Sequence, residues 1–201
     1  MYSLNSLFLL DPKITFLNHG SFGATPKPVF REYQRWQREL EVQPVEFLGR
    51  RATGLLAESR VALGRYLGTP ADNLVYTQNV TVSMNIVARS LYLEAGDEVL
   101  ASDHEYGAMD RMWRFLSRKR GFAYLNQPVE LTSHADFIES FWRGVTPRTK
   151  VIFLSHVTSP TALIFPIREI LQRAREKNII TIIDGAHVPG QIALNLDELG
   201  A

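Results

Sequence analysis

Apolar positions recur at helical spacing near the start of the chain, and strand-like apolar runs follow later. Residues 1–28 mix short apolar runs with Gly and Pro, which predicts an irregular N-terminal arm. Four apolar residues share one face of a first predicted helix: Val29, Tyr33, Trp36 and Leu40. A second helical pattern covers residues 48–63, and Gly68 and Pro70 predict its end.

The remainder of the chain predicts strands and helices in alternation. Five stretches of apolar residues are the predicted strands: 73–77, 97–102, 122–126, 150–156 and 179–184. Helical patterns lie between them at 81–93, 109–117, 133–144 and 166–178. Gly96 and Gly121 are the predicted ends of the first two of these helices. Ser133 is the predicted N-cap of the third, and Pro166 opens the fourth.

This alternation predicts an α/β fold. Strands that alternate with helices form right-handed βαβ units, which give a mostly parallel sheet covered by helices on both faces. In such a sheet, ligands bind outside the carboxyl ends of the strands. Polar residues follow four of the predicted strands at these ends, and they are the candidate site residues.

Composition and charge make several classes of protein unexpected for this sequence. The 201 residues are 45% hydrophobic and 21% charged, as in ordinary globular proteins, and the formal net charge is +1. Because the sequence has no dense Lys/Arg tract and no long apolar segment, we expect neither nucleic-acid binding nor a membrane span. The N-terminal SLFLLDP is short and lacks a basic leader, so no signal peptide is expected. The absence of cysteine excludes thiolate sites within these residues and suits a cytoplasmic protein.

The first predicted strand leads into a segment that can bind an anion. Val80 and Thr81 begin a helix, where free N–H groups and the helix dipole favour a phosphate. The alternative is that Asn79 or Thr81 only caps the helix. No glycine-rich nucleotide-binding motif is present, so a nucleotide ligand is not supported.

The ends of the predicted strands 97–102 and 150–156 carry ionisable side chains. Asp103, His104 and Glu105 could hold a metal, but adjacent residues of an extended segment point in opposite directions. A solvated loop is the alternative for these three residues. Tyr106 can offer the face of its ring to a planar ligand. At the end of strand 150–156, we interpret His156 as a satisfied core histidine.

The last predicted strand ends on a carboxylate. Asp184 follows a β-branched run, and a buried carboxylate must be paired, hydrogen-bonded or protonated. Gly185 and Ala186 leave space for a flat ligand, with Asp184 facing a ring nitrogen. His187 would then face another polar substituent of the ring. The alternative is that Asp184 forms a helix cap or a surface turn.

Together these stretches resemble the class V (cysteine-desulfurase-like) branch of fold-type I pyridoxal-phosphate enzymes, and within it the isopenicillin N epimerase-like members. Five segments carry the resemblance across essentially the whole chain: FLNHGSFGATP, QNVTVSMN, DHEYGA, SHVTSPTALIFPI and DGAH. The resemblance implies that residues 29–201 are the N-terminal part of a PLP-dependent transferase-like large domain. It also implies that the last strands of the sheet and the small domain are missing from these residues.

The resemblance implies pyridoxal 5'-phosphate as the cofactor. Seven residues would bind it: Val80, Thr81, Tyr106, Ser159, Asp184, Ala186 and His187. Asp184 would pair with the protonated pyridine nitrogen, while Tyr106 and Ala186 would pack on the two faces of the ring. Val80 and Thr81 would contact the phosphate, and His187 and Ser159 would contact the ring hydroxyl or the substrate.

The resemblance also implies a substrate entrance and a homodimer. The N-terminal arm would line the entrance with three residues: Asn18, His19 and Phe22. Members of the branch hold the cofactor through a Schiff-base lysine that follows the Asp strand. None of the five lysines stands in that context: Lys13, Lys27, Lys119, Lys150 and Lys177. The lysine is therefore expected beyond Ala201, and the 201-residue chain alone is expected to be inactive.

Three hypotheses for function follow. The first is a pyridoxal-phosphate-dependent enzyme that acts on an amino acid or amino-acid derivative, of the epimerase, aminotransferase or lyase type. The second is a truncated, non-catalytic module that binds a ligand or a partner. The third is a metal-dependent hydrolase that uses His104, Asp184 and His187. Because one scaffold supports many reactions, the substrate and the reaction type stay open.

Overall fold

The computed structural model describes residues 4–201, which form two compact units. The first unit ends at Leu63, and the second is Gly64–Ala201. This boundary differs from the predicted division into an arm over 1–28 and large-domain residues 29–201, which stays a prediction. No helix within residues 4–201 is both long and apolar enough to cross a membrane.

The first unit is helical after an irregular start. A 3₁₀ turn covers Leu4–Leu7, and the longer elements are α1 (Lys27–Val42), α2 (Pro44–Glu46), a π-helical turn (Phe47–Arg51) and the beginning of α3 (Ala52–Leu67). Pro28 lies in the first turn of α1, where its missing N–H costs nothing. Trp36 and Phe47 pack edge to face with their ring centroids 6.0 Å apart. Both helical predictions for this region are confirmed.

The second unit is built on a parallel sheet. Its strands are β1 (Glu98–Ser102), β2 (Ala123–Gln127), β3 (Thr149–Ser155) and β4 (Ile180–Asp184), in the order β2-β1-β3-β4. All three neighbouring pairs are parallel. The helices are α4 (Val80–Ser90), α5 (Gly107–Arg120), α6 (His134–Trp142), α7 (Ile167–Glu176) and α8 (Leu196–Leu199). The predicted α/β fold with a parallel sheet is confirmed.

Each face of the sheet has its own apolar core. Phe153 of β3 packs in a cluster with residues of α4 and α5, including Trp113. The adjacent residues Ile152 and Leu154 belong to a second cluster with residues of α6 and α7. Because both faces are covered, β3 reads as a continuous apolar run and not as an alternating one.

The predicted ends of the helices are largely confirmed. Gly121 ends α5 with a left-handed φ of 87°, a conformation that glycine adopts without steric cost. The Ser133 side chain accepts a hydrogen bond from the N–H of Asp136 at the start of α6. Pro166 directly precedes α7.

Two predictions in this unit are wrong. Residues 73–77 form no strand, because none of the four strands pairs with this segment and apolar propensity alone does not supply a neighbouring ladder. Helix α4 ends at Ser90 and not near Gly96. The Arg120 guanidinium donates hydrogen bonds to the carbonyl oxygens of Arg89 and Leu91, which satisfies the end of the helix without glycine.

Truncation of the central strand tests this two-layered core. Phe153 is fully buried, so Phe153→Ala should lower the free energy of unfolding by about 3–5 kcal/mol through lost packing and a cavity. Leu125→Ala on the outer strand β2 is the matched control, because Leu125 is 37% exposed and should lose about 1 kcal/mol. Urea denaturation followed by circular dichroism measures both values. Equal losses in the two variants would contradict the described packing.

Candidate functional site

The carboxyl ends of β1, β3 and β4 meet at one edge of the sheet. Ser102, Ser155 and Asp184 are the last residues of these strands. Ser155 and Asp184 are direct partners in the parallel register, and the N–H of His156 donates to the Asp184 carbonyl at 2.9 Å. The paired ends of β3 and β4 therefore form the base of the candidate site.

Asp184 places a buried carboxylate at this edge. The residue is only 6% exposed, so the prediction of a buried carboxylate is confirmed. The alternative is right that Asp184 serves a turn, since its carboxylate accepts from the N–H two residues on, but this turn is buried at Asp184 and not at the surface. One carboxylate oxygen accepts a hydrogen bond from the Ala186 N–H at 3.0 Å. No ion pair joins Asp184 to a cationic side chain within residues 4–201. A buried carboxylate can accept several hydrogen bonds, so this group has capacity for a cationic donor from a ligand.

The residues after Asp184 form a turn with two accessible side chains. The Val188 N–H donates to the Gly185 carbonyl at 2.9 Å, which closes the turn beside the carboxylate. Ala186 is exposed and His187 is half-buried, so both side chains are accessible next to Asp184. The turn thus provides a small apolar surface and an imidazole at the place where the sequence predicts them.

The loop after β3 is organised by Thr158. Its hydroxyl oxygen accepts from the Leu163 N–H at 2.9 Å and lies 2.7 Å from the Thr161 hydroxyl. Ala162 has a left-handed φ of 54°, which is unfavourable for a residue with a side chain. Ser159 is exposed at the tip of this loop, and its predicted contact with a ligand stays a prediction.

The start of α4 keeps two donors for an anion. The Asn79 side chain accepts from the Val82 N–H at 2.9 Å, so the capping interpretation of Asn79 is confirmed. The N–H groups of Val80 and Thr81 have no acceptor among residues 4–201. The cap and the anion site are therefore compatible, because the cap satisfies a different donor.

The start of α4 lies at the same edge of the sheet as the start of α5. Arg120, the last residue of α5, binds the carbonyl oxygens of Arg89 and Leu91 at the end of α4. Two helices that end together and pack on one face of the sheet run in the same direction. Their N-termini therefore both lie at the carboxyl ends of the strands.

Tyr106 immediately precedes α5 and is exposed at this edge. The ring of His104 is already engaged, with Nδ1 2.8 Å from an Asp103 carboxylate oxygen and the ring edge-on to Phe165. Within residues 4–201, no group of three or more His, Cys, Asp or Glu side chains is arranged to hold a metal ion. Tyr106 is thus the accessible aromatic ring of this segment.

Glu105 is the site residue that the sequence interpretation missed. Ser102 Oγ donates to one carboxyl oxygen of Glu105, and the Ser155 N–H and Oγ donate to the other at 2.8 and 2.6 Å. Burial raises the pKa of the Glu105 carboxyl above its ordinary value, although these hydrogen bonds act in the opposite direction. The solvated-loop interpretation is therefore wrong for Glu105. The spacing Ser102-x-x-Glu105 is a local signal for the first of these bonds, but nothing in the sequence indicates the bond to Ser155, 50 residues away.

His156 differs from its interpretation as a satisfied core histidine. The residue is half-buried, and burial lowers the pKa of its imidazole. Its main chain bonds to Asp184 and Phe165, but its ring nitrogens have no hydrogen-bond partner in the described part of the chain. It is fixed by its backbone and not by its side chain.

The predicted substrate-entrance residues belong to the first unit. The Phe22 N–H donates to the Asn18 carbonyl at 3.0 Å, and the His19 ring packs against Phe8 and Phe16. The Phe22 side chain is exposed. Their predicted role stays a prediction.

Comparison with known proteins identifies a protein family and several relatives of this chain. The aminotransferase class-V family profile matches residues 16–201. The chain is 37% identical over 193 residues to isopenicillin N epimerase from Streptomyces clavuligerus, covering 95% of this chain and 48% of that protein. It is 30% identical over 139 residues to a probable cysteine desulfurase from Vibrio cholerae, covering 67% and 34%. The chain thus spans about half the length, or less, of these curated relatives.

Solved structures show the same fold. C-DES, solved with glycine covalently linked to its PLP cofactor, superposes with a TM-score of 0.87 at 22% identity, over 98% of this chain and 53% of that one. The apo cysteine desulfurase from Thermococcus onnurineus gives a TM-score of 0.84 at 22% identity, over 98% and 50%. At this identity, the similarity shows the shared fold.

The titration of Glu105 gives a test of the site's electrostatics. Because the pKa of the Glu105 carboxyl is raised in the folded state, this group makes a favourable contribution to the free energy of unfolding. The contribution is fully present below the ordinary pKa of 4.5 and is lost as the pH rises through the folded pKa. Glu105→Gln cannot titrate. The free energy of unfolding of the wild type, minus that of this variant, should therefore fall as the pH rises from 4.5 and then level off.

Urea denaturation at a series of pH values measures this difference. Glu94→Gln is the control, because Glu94 is exposed, and it should keep the pH dependence of the wild type. A difference that stays constant or increases with pH would show that the Glu105 carboxyl is not buried as described.

Proposed function

Because the chain belongs to the aminotransferase class-V family, we propose that it is part of a pyridoxal-phosphate-dependent enzyme that acts on an amino acid or an amino-acid derivative. Its fold is the PLP-dependent transferase-like (fold type I) large domain. The reaction is of the epimerase, aminotransferase or lyase type, and the likeness to isopenicillin N epimerases favours isomerisation among these.

The observation that carries the proposal is the buried carboxylate of Asp184. It lies at the carboxyl edge of a parallel sheet without a cationic partner among residues 4–201. A protonated pyridine nitrogen is a cationic donor of the kind this carboxylate lacks. When bound, pyridoxal phosphate acts as an electron sink that stabilises negative charge at the substrate's α-carbon. The residues present therefore fit the cofactor.

Two further groups would orient the cofactor. The free N–H groups of Val80 and Thr81 would bind its phosphate, with help from the dipole of α4. Tyr106 would pack on one face of the ring and Ala186 on the other, which excludes water from both faces.

Polar side chains beside the ring would meet its hydroxyl or the substrate. His187 is half-buried next to Asp184, and Ser159 is exposed on the loop after β3. A serine hydroxyl and an imidazole each have atoms that can form hydrogen bonds with polar groups of a ligand. In this proposal the arm residues line the substrate entrance: Asn18, His19 and Phe22.

The position of the lysines agrees with the expectation that the cofactor's lysine lies elsewhere. In the second unit, Lys150 is near the start of β3, Lys177 precedes β4, and Lys119 is near the end of α5. All three lie at the opposite edge of the sheet from Asp184. A Schiff-base lysine beyond Ala201, a homodimer and a cytoplasmic location stay predictions.

The other hypotheses have less support. Family membership favours an enzyme over a non-catalytic binding module. The metal-dependent hydrolase would need His104, Asp184 and His187 together, and no group of three His, Cys, Asp or Glu side chains in the described part of the chain is arranged to hold a metal ion.

Binding of pyridoxal phosphate to the 201-residue chain tests the proposal directly. Asp184→Asn keeps the shape but removes the charge, so the affinity for pyridoxal phosphate should fall at least about tenfold, as for a lost charge-assisted hydrogen bond. Cofactor absorbance in an equilibrium-dialysis titration measures this affinity.

Asp72→Asn is the matched control, since Asp72 is exposed in a 3₁₀ turn, and it should bind like the wild type. Equal affinity of wild type and Asp184→Asn would overturn the assigned role of Asp184. A wild-type chain with no measurable affinity would favour the non-catalytic module.

A further inference from the structure

Glu105 joins the ends of two strands in a way that the proposed function does not yet use. Its carboxyl receives one hydrogen bond from Ser102, at the end of β1, and two from Ser155, at the end of β3. The residue is half-buried, and each of its carboxyl oxygens is engaged. A group held in this way fixes its neighbours.

The carboxyl group extends the sheet where β1 stops. The β1–β3 register ends at Ala101 and Phe153, so no residue of β1 pairs with Ser155. The Ser155 N–H instead donates to Glu105 at 2.8 Å. A side-chain oxygen thus takes the place of the next strand carbonyl, and it satisfies a buried donor that would otherwise be costly.

This bridge connects the two sides of the candidate cofactor site. Ser155 is the register partner of Asp184, which would hold the ring nitrogen. Tyr106, which would cover the face of the ring, is bonded directly to Glu105 through the main chain. Because its carboxyl is held at both strand ends, Glu105 restrains its own backbone, and with it the start of Tyr106, relative to Ser155 and Asp184.

We propose that Glu105 is a positioning residue that sets the separation of Tyr106 from Asp184 and so shapes the ring half of the cofactor site. This inference rests on the proposed function. It assigns Glu105 no contact with the cofactor or the substrate.

The hydrogen bonds of Glu105 predict how strongly each substitution at this position lowers the affinity for the ring. In Glu105→Gln the amide oxygen can still accept from Ser155, and the amide nitrogen can donate to the Ser102 hydroxyl. Glu105→Asp keeps the charge but is shorter by one methylene, so it cannot span both strands without movement. Glu105→Ala removes the acceptor and leaves the Ser155 N–H unsatisfied. Affinity for the ring should therefore decrease in the order wild type, Gln, Asp, Ala.

The test separates the ring half of the site from its phosphate half. The 201-residue chain is titrated with pyridoxal phosphate, with pyridoxal and with inorganic phosphate as a competitor. Glu105→Ala should weaken both pyridoxal compounds about tenfold, the equivalent of one buried group left unpaired. Its affinity for inorganic phosphate should stay that of the wild type, because the start of α4 is untouched. Glu105→Gln should stay within about threefold of the wild type.

Hydrogen exchange tests the Glu105 bridge without any ligand. Hydrogen exchange of the Ser155 amide should be faster in Glu105→Ala than in the wild type, and it should be restored in Glu105→Gln. Glu94→Gln is again the matched control, since Glu94 is exposed and should change neither exchange nor affinity.

The outcomes separate this inference from the proposed function. If the wild type binds pyridoxal phosphate but Glu105→Ala binds it equally well, the positioning role is overturned and the proposed function stands. An equal loss of affinity for phosphate and ring would show general destabilisation, and it would also overturn the positioning role. A wild type that binds neither pyridoxal compound would overturn the proposed function, and with it this inference, even if the exchange results show the bridge.

Discussion

The burial of the Asp184 carboxylate is the constraint on which the site depends. Removing a carboxylate from water is costly unless donors or a cation replace the solvent, and the described chain supplies a single backbone N–H. The carboxyl group stands at the end of a strand whose partner, β3, is buried almost throughout. A cationic ring nitrogen would supply the missing interaction. The same buried carboxylate thus needs a partner in the fold and would hold the cofactor in the proposed chemistry.

The parallel sheet explains why the other groups lie at the same edge as Asp184. Right-handed crossovers place the helix starts and the strand ends at one edge, and the bonds from Arg120 hold α4 parallel to α5. The free donors of Val80 and Thr81 and the ring of Tyr106 are therefore brought to the same edge. Separate apolar cores on the two faces hold this edge in place.

Patterns that depend on neighbouring residues could be predicted from the sequence, and those that depend on distant partners could not. Four strands and the cap at Ser133 follow from local composition and periodicity. The wrong strand at 73–77 has the right composition but lacks a neighbouring ladder. Ser102 lies only three residues before Glu105, but Ser155 of β3 meets Glu105 only after the sheet forms, so the link between the two strands was hidden. Asp184 was predictable, because a carboxylate after a buried apolar strand needs a physical reason.

The protonation state of the bound ring nitrogen shows whether Asp184 pairs with it. Pyridoxal phosphate labelled with ¹⁵N in the ring would be bound to the chain, and its ¹⁵N chemical shift followed as the pH is raised. If Asp184 pairs with this nitrogen, the shift should stay that of the protonated pyridinium at pH values where the free cofactor has lost its proton. A shift that follows the titration of the free cofactor would show that Asp184 does not hold the ring, and it would contradict the account.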